Sequence, residues 1–184
     1  MKNKIILTLL PCLIFAFTLS GAAQGDGGGA KPKPYTIEGN ELKLTDAVVR
    51  FADRSDKLLP ESERALGVVK DFLNDKTYIT LFRIEGHTDA GGGGDAGAQQ
   101  KQQQLSERRA LAVARRLVEQ GVDCKRLIAV GFGSTKPVAA NDTAANKSKN
   151  LRLVFALAAL RGRAIGGLPA DGGGRVAGDA CPKQ

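Results

Sequence analysis

An acidic and a basic side chain flank a glycine-rich stretch near the middle of the chain. Asp89 closes the segment I-E-G-H-T-D, residues 91–94 are four glycines, and Arg109 lies in the later segment Q-L-S-E-R-R-A-L. A carboxylate and a guanidinium in this arrangement either form an internal salt bridge or clamp a zwitterion. In such a clamp Asp89 binds an ammonium group, while Arg109 and the N–H groups of a helix N-terminus bind a carboxylate. These residue types alone leave both alternatives open.

Two elements must position this pair, a strand that ends before Asp89 and a helix that carries Arg109. The segment T-Y-I-T-L-F-R-I-E-G is β-branched and aromatic, which predicts a buried strand. Apolar side chains recur at helical spacing after Arg109, and a glycine ends the pattern: Ala110, Val113, Ala114, Leu117, Val118 and Gly121. At about 100° per residue, Arg109 falls beside this apolar side and Arg108 falls opposite it, toward solvent. Arg109 is therefore the arginine expected to lean over the end of the strand.

The remaining periodicity predicts the fold class. Three further segments are typical of strands, E-L-K-L-T-D-A-V-V-R-F, R-L-I-A-V-G-F-G and L-R-L-V-F-A-L-A-A-L, and a first helix follows Pro60. The segment S-T-K-P-V-A-A-N-D-T-A-A-N-K-S-K-N indicates a turn-rich connection. We predict an α/β two-layer sandwich with a β-α-β-α-β core plus one added strand. Its mixed sheet is expected to have mostly parallel neighbours and both helices on one face. Ligands of such sheets bind beyond the carboxyl ends of strands, which is where Asp89 lies.

Composition divides the chain into four segments. Residues 1–23 combine Lys2 and Lys4 with an apolar run and small residues near a cleavage point, which predicts a signal peptide. Residues 24–40 are predicted to be a Gly/Pro/Lys linker, residues 41–160 the folded domain and residues 161–184 a glycine-rich tail. Removing residues 1–23 lowers the formal charge from +8 to +6. The aromatic content of 5% and the absence of tryptophan argue against a nucleic-acid partner bound by base stacking.

Removal of the signal peptide leaves two cysteines, Cys124 and Cys181. In an oxidising compartment such a pair forms a disulfide or remains as two unpaired thiols, and the sequence leaves both alternatives open. A bridge would close a loop of about 57 residues and would stabilise the fold by roughly 4 kcal/mol in the chain-entropy model.

The same residues do not favour an enzyme or a metal site. His87 is the only histidine, and a triad with Ser106 and Asp89 lacks the strained nucleophile turn that serine hydrolases use. Ser106 is expected to cap the start of the helix, and the two remaining cysteines lack the spacing of metal ligands. We therefore expect no catalytic residue, no metal and no cofactor. His87 is expected to have a structural role, ordering the turn that presents Thr88 and Asp89.

Four motifs, in order within residues 41–159, resemble the OmpA-like C-terminal domain family: I-E-G-H-T-D, L-S-E-R-R-A, V-G-F-G-S-T-K-P-V-A-A-N-D-T and N-L-R-L-V. The resemblance implies a non-catalytic periplasmic module that binds peptidoglycan. It also implies that Asp89 and Arg109 grip the zwitterionic diaminopimelate of the stem peptide, with Thr88 beside them. Helix phasing and the position of the strand end had already indicated Asp89 and Arg109.

The chain departs from the family pattern around this pair. Gln102 stands where the family usually carries an asparagine, Leu151 and Lys147 stand where it carries arginines, and Asn150 and Arg152 are retained. The loop between the first two motifs is also longer than usual. We therefore expect Gln102 and Arg152 to form the rim of the site, and we expect the missing arginine at position 151 to alter affinity.

Together these features predict an exported periplasmic protein, associated with the outer membrane. It would tether to the cell wall or sense it by binding diaminopimelate-type peptidoglycan non-covalently. The alternative is a protein-interaction module on the same fold, in which the altered rim and the tail bind an outer-membrane or envelope protein. The two predictions differ in whether Asp89 or the tail after Arg161 is needed for function.

Overall fold

A computed structural model describes residues 32–91, 95–167, 169 and 171–181. The predicted signal peptide, residues 24–31 of the predicted linker and residues 92–94 of the glycine loop lie outside the described residues. The strands are β1 (Tyr35–Glu38), β2 (Glu41–Leu44), β3 (Ile79–His87), β4 (Leu127–Gly133), β5 (Arg152–Leu160), β6 (Arg163–Ala164) and β7 (Arg175–Val176). The helices are α1 (Ser62–Asp75), α2 (Ala96–Glu119) and α3 (Ala144–Asn150), and a short 3-10 helix (Cys124–Arg126) precedes β4.

The described strands form one mixed sheet in the order β1-β2-β5-β3-β4-β7, with β6 added to β5. The predicted core is confirmed, because β2, β3 and β4 run in one direction and alternate with α1 and α2. The expectation of mostly parallel neighbours was wrong, since β5 inserts antiparallel between β2 and β3 and leaves β3–β4 as the parallel pair among the described strands. Residues 155–159 of β5 are all buried, because β2 and β3 pair with its two edges and the helices cover Phe155 and Leu157 on one face.

Both helices pack on one face of the sheet, as the sequence predicts. Their apolar residues share one core with β3 and β5, whose fully buried members include Leu66, Val69 and Leu73 of α1, Val113, Ala114 and Leu117 of α2, and Ile84 of β3. Phe82 of β3 lies between two other rings of this core, 6.2 Å from Phe72 and 6.0 Å from Phe155. The core therefore fixes α2 across the strands that end at the candidate site.

Helix α2 begins at Ala96, ten residues before Ser106, which was expected to cap its start. The side chain of Asp95 caps it by accepting a hydrogen bond from the N–H of Ala98 at 2.8 Å. Alanine and glutamine favour the helical state, so the glutamine run continues the helix. The predicted turn-rich connection likewise contains a helix, α3, which Thr143 caps. None of the helices in the described part of the chain is both long enough and apolar enough to span a bilayer.

Ser106 lies in the interior of α2 and joins this helix to the sheet, so the prediction that it caps a helix start was wrong. It is fully buried. Its hydroxyl donates to the carbonyl of Gln103 at 2.7 Å and accepts from the N–H of Gly133 at 2.8 Å. A methyl group on Gly86 would overlap the carbonyl oxygen of Ser106. The glycine of the G-H-T-D segment therefore lets α2 approach the end of β3.

Both segments that flank the predicted domain contribute strands to it. β1 falls within the predicted linker and pairs with β2, whereas β6 and β7 fall within the predicted tail and pair with β5 and β4. These strands are two to four residues long. Elements this short contain too few residues to show a periodic apolar pattern, and the predicted boundaries at residues 40 and 161 therefore fall inside the fold.

The tail begins on the face of the sheet that points away from the helices, and it ends at the helix-side core, where Ala180 is buried. Phe82 and Ile84 face the helices, so Arg83 between them faces the other way. The guanidinium of Arg83 donates to the carbonyl of Gly167 at 2.7 Å. Farther along the tail, Cys181 forms a disulfide with Cys124. The disulfide alternative is thus confirmed, and a segment without periodicity is held by hydrogen bonds and a covalent bridge.

Candidate functional site

Asp89 lies two residues past the end of β3, on a turn that backbone contacts hold. The N–H of Thr88 donates to the carbonyl of Gly133 at 2.8 Å. The N–H of Ala90 donates to Oδ1 of Asn141 at 3.1 Å. Asp89 itself is half-buried, and within the described ranges its carboxylate accepts no hydrogen bond and forms no ion pair. The turn is therefore fixed while its carboxylate remains available.

Arg109 projects from the middle of α2 in a defined orientation. Its Nε donates to the carbonyl of Ser55 at 2.8 Å, and its guanidinium lies over the ring of Phe51, 5.0 Å from the centroid. Burial lowers the pKa of Arg109, and the carboxylate of Asp53 is the strongest influence in the opposite direction. Nη1 and Nη2 form no hydrogen bond to the described residues, so these donors remain for a ligand. The adjacent Arg108 is exposed, which agrees with its predicted phase.

Asp89 and Arg109 line one cavity of about 450 Å³. Its other walls come from α2, from two loops and from the end of α3: Asp53, Arg54, Gly91, Gln102, Leu105, Lys147 and Leu151. No ion pair within 4.0 Å joins Asp89 to Arg109. The internal salt bridge, one of the two alternatives left open by the sequence, is therefore not formed.

The N-terminus of α2 takes no part in this site, contrary to the prediction. Arg109 follows Ala96 by 13 residues, which is about 20 Å along the helix axis. The side chain of Asp95 also accepts from one N–H of the first turn, that of Ala98. The early start of α2 thus places the positive end of the helix away from the Arg109 side chain.

The structure places the other predicted site residues in different surroundings. Gln102 lines the cavity beside Gly91. Thr88 is buried, does not line the cavity, and its hydroxyl has no hydrogen-bond partner in the described part of the chain. Arg152 lines two adjoining cavities, and its Nη2 donates to the carbonyl of Lys136 at 3.0 Å. Gln102 is therefore the predicted neighbour that reaches the cavity of Asp89.

Two charged residues of the cavity, Asp53 and Arg54, were missed by the sequence prediction, and a third, Lys147, was named only as a departure from the family pattern. Asp53 and Arg54 come from the loop after Phe51, and Lys147 comes from α3. A signal for the loop was available, because A-D-R directly follows Phe51, the last residue of the first predicted strand, and this strand was expected to run parallel to the strand before Asp89. Carboxyl ends of parallel strands meet at one edge of a sheet. The signal for Lys147 was the family pattern, which carries an arginine at that position.

A buried asparagine at the end of α3 holds the turn that carries Asp89. Asn150 is fully buried, and its Oδ1 accepts two loop N–H groups at 2.8 and 3.1 Å. Its Nδ2 donates to Oδ1 of Asn141 at 3.0 Å. The same Oδ1 of Asn141 accepts the N–H of Ala90. This chain of hydrogen bonds links α3 to the residue that follows Asp89.

His87 packs below the turn and is 3% exposed. Its ring stacks on Phe132 with centroids 5.1 Å apart, and its Nε2 lies 3.4 Å from Oε2 of Glu85. Burial lowers the pKa of His87 against the opposing effect of Glu85. Burial raises the pKa of Glu85, but the hydrogen bonds and charges of His87 and Arg83 together hold it below its usual value. No group of three His, Cys, Asp or Glu side chains in the described ranges is arranged to hold a metal.

The OmpA family matches residues 50–151, a stretch that contains Asp89, Arg109 and Asn150. The chain belongs to the OmpA family. This OmpA-family chain is 39% identical to the peptidoglycan-associated lipoprotein of Pseudomonas aeruginosa over 133 residues, which cover 72% of this chain and 73% of that protein. It is 38% identical to the outer-membrane lipoprotein YfiB of the same species over 118 residues, which cover 64% of this chain and 66% of that relative.

A solved structure is also similar in fold. The cell wall anchor of the T6SS from Pseudomonas aeruginosa superposes with a TM-score of 0.54 at 25% identity, covering 68% of this chain and 88% of that structure. The chain spans between 35% and 66% of the length of three curated relatives, two lipoproteins and a porin. It therefore corresponds to part of those proteins.

Proposed function

We propose that this OmpA-family domain binds peptidoglycan non-covalently by holding the free end of diaminopimelate between Asp89 and Arg109. In a stem peptide this free end carries one ammonium and one carboxylate group. Asp89 accepts hydrogen bonds from the ammonium, while Nη1 and Nη2 of Arg109 donate to the carboxylate in a two-pronged contact. No covalent bond changes, so the domain tethers the protein to the cell wall or senses the wall, without catalysis.

The observation that carries this proposal is the separation of two opposite charges across one cavity. Asp89 and Arg109 line the same space and do not neutralise each other. Ser55 and Phe51 hold Arg109 by its Nε and by one face of the guanidinium. The forked end of the side chain is thereby left for a ligand. A zwitterion satisfies both charges at once, whereas a ligand with one charge leaves the other group unpaired.

The remaining charges of the cavity favour an anionic ligand. Arg54 and Lys147 add two positive charges to that of Arg109, and Asp53 adds one negative charge to that of Asp89. The excess of one positive charge suits a stem peptide, which carries further carboxylates beyond its zwitterionic end. Opposite potentials of site and ligand mainly increase the rate of association and the selectivity.

The relatives support the cell wall as the target and the envelope as the location. One is named a peptidoglycan-associated lipoprotein, another an outer-membrane lipoprotein, and the similar solved structure is a cell wall anchor. We place the protein in the periplasm after export by its N-terminal signal peptide, in association with the outer membrane. The alternative of partner binding through the tail has less support, because the tail contacts the domain's own sheet and is tied to it by a disulfide.

Co-sedimentation with purified sacculi tests this function. We expect the wild type to pellet with diaminopimelate-type sacculi, and the variants Asp89→Ala and Arg109→Ala to remain in the supernatant. Arg108→Ala is the matched control, because Arg108 is the exposed neighbour on the same helix and lines none of the three cavities around Arg109. Each charged hydrogen bond is worth about 1.5–3 kcal/mol, which corresponds to roughly 10- to 100-fold in affinity. Equal pelleting of the wild type and both cavity variants would refute the proposal.

A further inference from the structure

Among the described residues, β2 pairs with β5 only at Ala156 and Phe155. The edge of β5 that faces β2 is therefore free at the start of the strand, around Leu153. Leu42 is paired with Phe155, the last pair on that side of β5. The N–H of Leu157 donates to the carbonyl of Asn40 at 2.7 Å. Backbone groups of alternate residues point to the same side of an antiparallel strand, so the N–H and C=O of Leu153 also point toward β2. No described residue of β2 pairs with Leu153.

A second cavity of about 720 Å³ occupies this gap between β5 and residues 47–52. Apolar side chains form much of its wall, among them Val49, Phe51, Leu153 and Phe155. This strand-edge cavity adjoins the cavity of Asp89, because Asp53, Arg109 and Leu151 line both. We call the two adjoining cavities the cleft, which has a charged end and an end bordered by a free strand edge.

We propose that the strand-edge cavity binds the peptide on which the zwitterionic residue is carried. The inference rests on the function proposed above. The free end of diaminopimelate enters between Asp89 and Arg109. The end that is part of the peptide backbone lies along β5, where its amide N–H and C=O pair with the C=O and N–H of Leu153. The stem peptide is thus added to the sheet edge as a short strand.

The chemistry of the cleft matches that of a stem peptide. A free strand edge binds extended peptides through backbone hydrogen bonds, and adjoining pockets take the side chains. The methyl group of the D-alanine that follows diaminopimelate suits the apolar wall of the strand-edge cavity. Leu151 lies at the junction of the two cavities and is 45% exposed. Its apolar side chain is complementary to the three methylene groups that join the two ends of diaminopimelate.

Calorimetry with two soluble probes tests the inference. The probes are free meso-diaminopimelate and the tetrapeptide L-Ala-γ-D-Glu-meso-diaminopimelate-D-Ala. We expect the tetrapeptide to bind the wild type at least about tenfold more tightly than the free amino acid, since two backbone hydrogen bonds are added. Ala47→Trp fills the strand-edge cavity without touching the cavity of Asp89. This variant should bind both probes equally, with its affinity for free diaminopimelate unchanged.

A matched variant and a modified probe complete the test. Val138→Trp places the same bulk on a valine that is 61% exposed and lines neither cavity, and it should behave as the wild type does. A tetrapeptide methylated at the amide nitrogen of diaminopimelate should lose most of its advantage. The strand-edge site is overturned, and the proposed function is not, if the wild type binds both probes equally. The same holds if Ala47→Trp still binds the tetrapeptide more tightly than free diaminopimelate. Failure of the wild type to bind either probe overturns the proposed function as well.

Discussion

The disulfide between Cys124 and Cys181 should account for a large part of the stability of the domain. The two cysteines are 57 residues apart in the sequence, and their bridge encloses β4, α3, β5 and the tail. Closing a loop of this length lowers the entropy of the unfolded chain enough to stabilise the folded state by about 4 kcal/mol. Replacing both cysteines by alanine should therefore lower the free energy of unfolding by roughly 2–4 kcal/mol, the lower bound allowing for residual structure in the unfolded chain.

Urea denaturation followed by circular dichroism measures this loss. The oxidised wild type is compared with the reduced wild type and with the double variant Cys124→Ala/Cys181→Ala, and the last two should agree. Ligand affinity serves as the control. Cys124 precedes β4 and Asp89 follows β3, so the two lie at opposite ends of parallel strands, about 20 Å apart. The double variant should bind its ligand normally. A loss below about 1 kcal/mol would refute the view that the bridge holds the tail to the domain.

Three further perturbations test the supports of the site. Asn150→Ala should lower the free energy of unfolding by roughly 1–3 kcal/mol in chemical denaturation, because it removes a fully buried side chain and the two hydrogen bonds that its Oδ1 accepts from loop N–H groups. Gly86→Ala should cost about 2 kcal/mol or more in the same assay, because the added methyl overlaps the carbonyl of Ser106. His87→Gln should flatten the pH dependence of stability. Folding lowers the pKa of His87 below its ordinary value of 6.5, so the wild type should lose stability as pH falls below that value, by at most about 1.4 kcal/mol per pH unit.

Each of these three predictions has a control variant or a result that would contradict it. Asn146→Ala changes a partly exposed asparagine of the same helix and should have little effect. Gly67→Ala adds a methyl with nothing within 4 Å in the interior of α1, and it should stabilise by about 0.5–1 kcal/mol. Equal effects of Gly67→Ala and Gly86→Ala would contradict the close approach of α2 to β3. For His87, an identical acid slope in the wild type and the variant above pH 4.5, the ordinary pKa of Glu85, would contradict its burial as a neutral ring.

The sequence was most informative where apolar residues repeat over several turns or strand positions. The stripe from Ala110 to Leu117 placed α2, and its phase separated Arg109 from Arg108. The family motifs and the strand end both indicated Asp89. The order of the central strands was not predictable in this way, because a buried strand such as β5 has the same pattern in any central position of a sheet.

The remaining features depend on contacts between distant residues. The strands of the tail are two residues long, and the Cys124–Cys181 bridge that ties the tail to the domain was left open by the sequence. The start of α2 was missed because its first residues are mainly alanine, glycine and glutamine, which show no apolar periodicity, although the helix begins directly after its cap, Asp95. Asp53 belongs to the cavity only because the loop after Phe51 folds toward Arg109, and that contact is between residues far apart in the chain.

The central claim is that one cavity recognises both charges of a zwitterion, and removing each charge from the ligand tests it most directly. We would measure by calorimetry the affinity of the wild type for a stem tetrapeptide with diaminopimelate and for two analogues. Lysine at that position removes the second carboxylate, and 2-aminopimelate removes the second amine. We expect each analogue to bind at least about tenfold more weakly. Arg109→Ala should no longer discriminate against the lysine peptide, and Asp89→Ala should no longer discriminate against the aminopimelate peptide. Equal affinity of the wild type for all three peptides would contradict the account.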